Sequence, residues 1–154
     1  MREILLVRFG EVFLKGQNRP FFMKKLMNHI RDAVRPVEGR VWMSEGRFYV
    51  SDFTDMDECI RRVTRVFGVH SVSPAVEMEK DDFEAICAQA ARMMEPLSGT
   101  FKVLARRSDK RYPLDSPAIM REAGGYILDH VPGLTVDVNH PDHTMMIEIR
   151  DHAY

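Results

Sequence analysis

Between Lys102 and Tyr112 the chain reads KVLARRSDKRY, five cationic side chains and one carboxylate in eleven positions. Such a stretch is suited to neutralising a run of phosphates, since each Lys or Arg can replace a condensed counterion. On a strand, Lys102, Leu104 and Arg106 share one face while Phe101, Val103 and Ala105 share the other. Arg107, Lys110, Arg111 and Tyr112 fall in the connection that follows. Ser116-Pro117 reads as a helix N-cap with proline in the first turn, and Arg121 lies one turn further on. Unpaired N–H groups and the dipole at such a helix start favour anions. With Tyr112 to stack on a base, this combination fits single-stranded RNA or another phosphate run. A solvated basic loop is the competing reading, and charge alone does not choose between them.

Other residue types offer less chemistry. There is neither a GxxxxGK[ST] nor a GxGxxG pattern, so no phosphate-cradling glycine loop is expected. Cys59 and Cys87 fall at helical positions in line with Ile60 and Ile86, as inert core thiols would. His140, Asp142, His143 and His152 could be assembled on paper into a metal site, but the HPDH segment reads better as a polar turn. Glu11, Glu45 and Glu148 are single carboxylates with no evident catalytic partner. Gly10 and Gly16 read as turn residues.

The elements that must carry these residues follow from periodicity. Residues 4–11, ILLVRFGE, form an apolar run that predicts a buried strand. Pro20 opens a helix with Phe22, Leu26, Ile30, Ala33 and Val34 on its buried side, ended by Pro36 and Gly39. Two apolar runs around Glu45-Gly46 predict a β-hairpin. Thr54 and Asp57 predict the cap of a second helix, with Ile60, Val63 and Phe67 buried. HSVSPAVEME reads as the next strand. This order is β-α-β-β-α-β, the ferredoxin-like arrangement. A helix opening at Asp81 or Asp82, the TFKVLARR strand, the Ser116 helix and two strands around Pro141-Asp142 complete an α-β-α-β-β half. The last strand is expected to be cut short at Tyr154, as in a piece of a longer protein. The fold class is α+β, with a domain over 1–78 and another over 79–154, whose family-level boundary could start near residue 60.

Composition is compatible with two small soluble domains. The 154 residues hold 22 basic and 23 acidic side chains, with 45% hydrophobic residues. Near-neutrality hides a strong asymmetry. Residues 1–40 carry nine basic and four acidic groups, residues 101–122 six and three, and residues 41–100 six and eleven. Two basic regions on a neutral chain create local positive fields without general stickiness. No apolar run approaches the length of a membrane span, no signal peptide is evident, and two cysteines fit a cytoplasmic location.

Residues 8–22, RFGEVFLKGQNRPFF, closely resemble the opening of the bacterial tRNA 4-thiouridine synthetases, also called tRNA sulfurtransferases. The family signature GE-x-x-LKG-x-NR-x-x-F is matched by Gly10, Glu11, Leu14, Lys15, Gly16, Asn18, Arg19 and Phe22. FKVLARRSDKRYPLDSPAIMREAGGYIL resembles the THUMP module of tRNA-modifying enzymes, and IEIRDHAY resembles the end of that module in this family. The resemblance implies a ferredoxin-like domain followed by THUMP, binding the acceptor stem and 3′ end of tRNA. It implies that uridine 8 is adenylated and thiolated by an ATP-pyrophosphatase domain that uses ATP and Mg and carries an SGG-x-DS loop, absent here. No cofactor and no catalysis are therefore expected of these 154 residues, and Cys59 and Cys87 inherit no sulfur-handling role. A cysteine desulfurase as sulfur donor, a role in thiamine synthesis, a rhodanese-like tail in some members and a homodimer are further implications.

Under that resemblance Lys102, Arg106, Arg107, Lys110, Arg111 and Arg121 are expected to meet phosphates. Tyr112 and Ser116 would shape a pocket for terminal bases. Arg8, Lys15, Asn18, Arg19, Lys24 and Lys25 would extend the contact from the first domain. The alternative is a ferredoxin-like protein-interaction or regulatory module that binds no nucleic acid.

Overall fold

A computed structural model describes residues 1–10, 16 and 18–154. The chain forms two compact units, Arg2–Val76 and Glu77–Tyr154. The first contains β1 (Arg2–Phe9), α1 (Arg19–Val34), β2 (Arg40–Ser44), β3 (Arg47–Ser51), α2 (Met56–Thr64) and β4, which runs Val69–Glu77. Its sheet has the order β2-β3-β1-β4. With the sequence order β-α-β-β-α-β, this is the ferredoxin-like arrangement.

Alternation along the strands places Leu5, Val7, Phe48, Val50 and Val41 in the buried cluster that also takes the helices. The β2–β3 hairpin turns through Glu45 and Gly46, whose φ values are 47° and 80°. Two successive left-handed residues define the type I′ turn, and glycine accepts the second at no steric cost.

Three details differ from the periodicity reading. On α1 the buried stripe is Met23, Leu26, Ile30 and Val34, whereas Phe22 is exposed. α2 stops at Thr64, so Phe67 lies beyond it and is 87% exposed; Cys59 and Val63 fill the buried positions instead. The α2 cap is Asp55, which accepts from the Glu58 N–H at 3.0 Å. Thr54 turns away and hydrogen-bonds Val37 O through both its N–H and its hydroxyl.

The second unit contains α3 (Phe83–Met94), β5 (Gly99–Arg107), α4 (Ser116–His130), β6 (Leu134–Val136) and β7 (His143–Ile149). β5 is central, in the order β6-β5-β7, and both neighbours run parallel to it. The turn at Pro141-Asp142 therefore does not fold β6 and β7 into a pair, as their spacing suggests. It carries the chain from one side of β5 to the other. Asp142 secures the crossing: its N–H donates to Thr100 Oγ1 at 2.9 Å, and its carboxylate accepts from Thr100 N–H at 3.0 Å. Gly99 supplies the necessary gap, because a Cβ there would collide with the Asp142 carboxylate.

Phe101, Val103, Ile147 and Ile149 join Ile86, Met94, Ile119 and Ile127 in one core. At about 25 cal/mol per Å² of apolar surface, such burial is the main stabilising contribution of a unit this small. After Asp151-His152 the chain turns back, and Ala153 bridges both Met78 and Ile149.

Candidate nucleic-acid interface

The basic stretch begins on β5, whose alternation buries Phe101 and Val103 and leaves Arg106 exposed and Lys102 half-buried on the opposite face. Beyond Arg107 the loop is held from within. Asp109 accepts from Lys80 Nζ at 3.1 Å, Arg111 N–H at 3.0 Å and Arg111 Nε at 3.2 Å. The backbone N–H of Arg111, followed by the Lys80 ammonium, holds the Asp109 carboxyl down to about 2. Lys80 also donates to Arg150 O, and its own carbonyl accepts from Tyr112 Oη at 2.7 Å.

These contacts sort the expected phosphate ligands into two groups. The side chains of Lys102, Arg106, Lys110 and Arg121 carry no ion pair among the described residues. Arg111 is paired with Asp109 yet its side chain remains 92% exposed. Arg107 is committed inward: Nη1 donates to Lys110 O at 3.0 Å and Tyr112 O at 3.2 Å, stapling the loop.

Two expectations need correction. Tyr112 is not an open stacking platform, because its ring is buried in the core and its hydroxyl is bonded to Lys80 O. Ser116 is not the N-cap of α4. It is the first helical residue, and the Asp115 carboxylate accepts from Ala118 N–H at 2.9 Å. A carboxylate already placed at that helix start satisfies one free donor and opposes the approach of a phosphate.

Beside this loop lies a groove of about 610 Å³ between β5, α4 and the end of β6. Lys102 and Arg121 both line it, with Met120, Gly124, Leu128 and Val136, and among the described residues no acidic side chain does.

In the first unit, Arg8 donates from Nη1 to Ser73 Oγ at 2.7 Å. Asn18 precedes α1 without a side-chain cap bond. Arg19 and Lys24 line a second cavity, about 670 Å³, with Met23, Met27 and Met43. Lys25 is exposed on the same helix, and Lys15 falls outside the described residues. Among the described residues no His, Cys, Asp or Glu cluster is disposed to hold a metal ion, and no helix is long and apolar enough to cross a membrane.

Residues 4–73 match the ThiI ferredoxin-like domain family, and residues 79–154 match the THUMP domain family. The chain is a ThiI ferredoxin-like domain followed by a THUMP domain. A probable tRNA sulfurtransferase of Acetivibrio thermocellus is 41% identical across all of the chain, which spans 41% of that protein. Another, from Moorella thermoacetica, is 44% identical over 96% of the chain and 38% of its own length. A crystal structure of a 4-thiouridine synthetase–RNA complex with bound ATP superposes on 99% of the chain, with a TM-score of 0.85 and 27% identity. The chain covers 40% of that structure. It thus spans about two-fifths of the length of the relatives it matches.

Within the THUMP domain, sequence reasoning missed Lys80, Asp109 and Asp115, which organise the basic loop rather than extend it. It also missed the groove. Gly124-Gly125 in the middle of a helix was the available signal, since two small residues leave room between α4 and β5.

Proposed function

We propose that this chain is the tRNA-receiving front of a cytoplasmic tRNA sulfurtransferase, with the THUMP domain taking the acceptor stem and 3′ end. Lys102, Arg106, Lys110, Arg111 and Arg121 act as phosphate ligands, and the ferredoxin-like domain adds Arg19, Lys24 and Lys25, with Arg8, Lys15 and Asn18 nearby in sequence. The reading includes delivery of uridine 8 to an ATP- and Mg-dependent domain for thiolation, sulfur from a cysteine desulfurase, and action as a homodimer. A second use of the same sulfur, in thiamine synthesis, belongs to the same reading.

The observation that supports it best is the set of cations on β5, in the loop after it and on α4 (Lys102, Arg106, Lys110 and Arg121) that have no carboxylate partner among the described residues. Folded proteins usually pair or disperse such charge, and here Asp109 and Arg107 are spent on holding the loop that presents it. Titration of the chain with tRNA tests the proposal. Affinity should fall as salt rises, with a log–log slope of about −0.7 to −0.9 per neutralised phosphate. It should weaken when the tRNA lacks its 3′ single-stranded end. Salt-independent binding, or none, would reject it.

A further inference from the structure

The ferredoxin-like domain keeps a cavity of about 670 Å³ that its own core does not fill. Buried Phe48 on β3 and Met23 on α1 form its floor, with half-buried Met27 on the helix and Met43 on β2 as walls. β2 is the edge strand of the sheet, and Met43 stands on it 50% exposed. From Arg19 to Met27 the helical wall rises about 12 Å, two turns of α-helix. Gly46 lines the hairpin end, where a Cβ would meet nothing within 4 Å among the described residues, so the cavity is open there.

Its lining says what could occupy it. Methionine is unbranched and polarizable, so a surface built from Met23, Met27 and Met43 adapts to apolar side chains of differing shape. Arg19 and Lys24 stand at the rim, both exposed, and neither has an ion pair among the described residues. No acidic side chain lines the cavity among those residues. An apolar trough two turns long with cations beside it complements an amphipathic helix that carries acids next to its apolar stripe. A nucleobase is served less well. Bases stack on open aromatic faces, and the aromatic ring of this lining, Phe48, is fully buried.

We infer that this cavity seats an acidic amphipathic helix of a partner protein. Apolar side chains one turn apart on that helix pack against Met23, Met27 and Met43, and its carboxylates meet Arg19 and Lys24. The inference goes beyond the RNA reading and does not depend on it. The two share Arg19 and Lys24, so a seated helix excludes tRNA from that pair and leaves the cations of the THUMP domain to it.

The test uses protein labelled at its methionine methyls and a synthetic helix of about five turns, leucines along one face and glutamates beside them. A control peptide has the same composition, with its leucines scattered around the helix. Wild type should bind the designed helix at least tenfold more tightly than the control. The methyl resonances of Met23, Met27 and Met43 should shift, and those of Met120 and Met145 in the THUMP domain should stay in place. Met43→Ala, at an exposed position where folding is not at stake, should weaken the helix at least fivefold and leave tRNA affinity within twofold. Arg19→Glu combined with Lys24→Glu alters two exposed side chains, and an acid at Arg19, the first residue of α1, suits the helix dipole. The double variant should lose the preference for the acidic helix and gain at least tenfold for one bearing lysines in place of the glutamates. Equal binding of designed and control peptides, or no gain on charge reversal, overturns the inference. Methyl shifts produced by tRNA but not by the acidic helix would give the cavity to RNA instead. Shifts that follow protein concentration alone would give it to a second copy, and either result overturns the inference too. Loss of tRNA binding with helix binding intact would sink the RNA reading alone.

Discussion

Lys80 reaches Asp109 across 29 residues of sequence, Nζ to carboxylate at 3.1 Å, while its carbonyl receives the Tyr112 hydroxyl at 2.7 Å. One residue at the entrance of the THUMP domain thus pins both ends of a loop whose other side chains are mostly cationic. Like charges placed close together would otherwise spread the loop. The Asp109–Lys80 pair, with Arg107 on the Lys110 and Tyr112 carbonyls, offsets that repulsion.

The pH dependence of this loop follows from Asp109. Its carboxyl is held down to about 2, chiefly by the Arg111 N–H and then by Lys80. For a depressed carboxyl, the stabilisation is present in full above the unfolded-state value near 4 and disappears as pH falls through the folded value. The amide of Arg111 should therefore titrate with a midpoint near 2 in an NMR series, provided the domain remains folded. A midpoint near 4 would mean that the carboxylate is not engaged. Asp109→Asn should accelerate exchange of that amide at neutral pH, by roughly tenfold if a charge-assisted hydrogen bond is lost.

The outward and inward cations should behave differently. Replacing Lys102, Arg106, Lys110 and Arg121 with Ala, one at a time, should leave the thermal midpoint almost unchanged. Each replacement that removes a phosphate contact should lower the salt slope of RNA binding by about 0.7–0.9. Arg107→Ala should instead loosen the loop, because Lys110 O and Tyr112 O lose their donor. Its signature is faster exchange in residues 108–112 together with weaker binding. Equal effects from Arg106→Ala and Arg107→Ala on loop exchange would remove the distinction.

Hydrophobic period and turn chemistry made the element order legible, including the Glu45-Gly46 hairpin and the β-α-β-β-α-β succession. Burial was harder to read where size stood in for position. Phe22 and Phe67 are large and near helical spacing, yet Met23 and Cys59 occupy the inward positions. Alternation along LTV and HTMMIEI reports which faces are buried, not which strand is the neighbour, so the parallel pairing on both sides of β5 was invisible. At the candidate site, the cationic residues were plain but their division of labour was not. Arg106 and Arg107 look equivalent in sequence and differ in direction, and Tyr112 in a basic loop gives no local sign that it turns into the core.

Two adjacent capping types, Asp115 and Ser116, illustrate how little separates such alternatives. Only Asp115 has extended backbone geometry and a bond to Ala118 N–H. Asp115→Ala should cost about 1 kcal/mol, within the usual 0.5–2 kcal/mol for a lost cap. Ser116→Ala should change stability by less than about 0.5 kcal/mol, because serine at the first helical position makes no capping bond. Denaturant midpoints of the two variants decide the matter, and a larger loss in Ser116→Ala would reverse the assignment.

The thiols provide an independent probe of the two cores. Cys59 sits in the ferredoxin-like core and Cys87 in the THUMP core. Burial pushes each up to about 11, which keeps the reactive thiolate scarce at neutral pH. Labelling by a thiol reagent at pH 7 should therefore be slow for both and should follow opening of each domain. Because the two cores are separate, Ile119→Ala, which removes a fully buried side chain from the THUMP core, should destabilise that domain by about 2–5 kcal/mol. It should accelerate labelling of Cys87 well before it affects Cys59. Equal acceleration at both cysteines, followed by mass spectrometry of the labelled peptides, would mean that the two domains unfold as one cooperative unit.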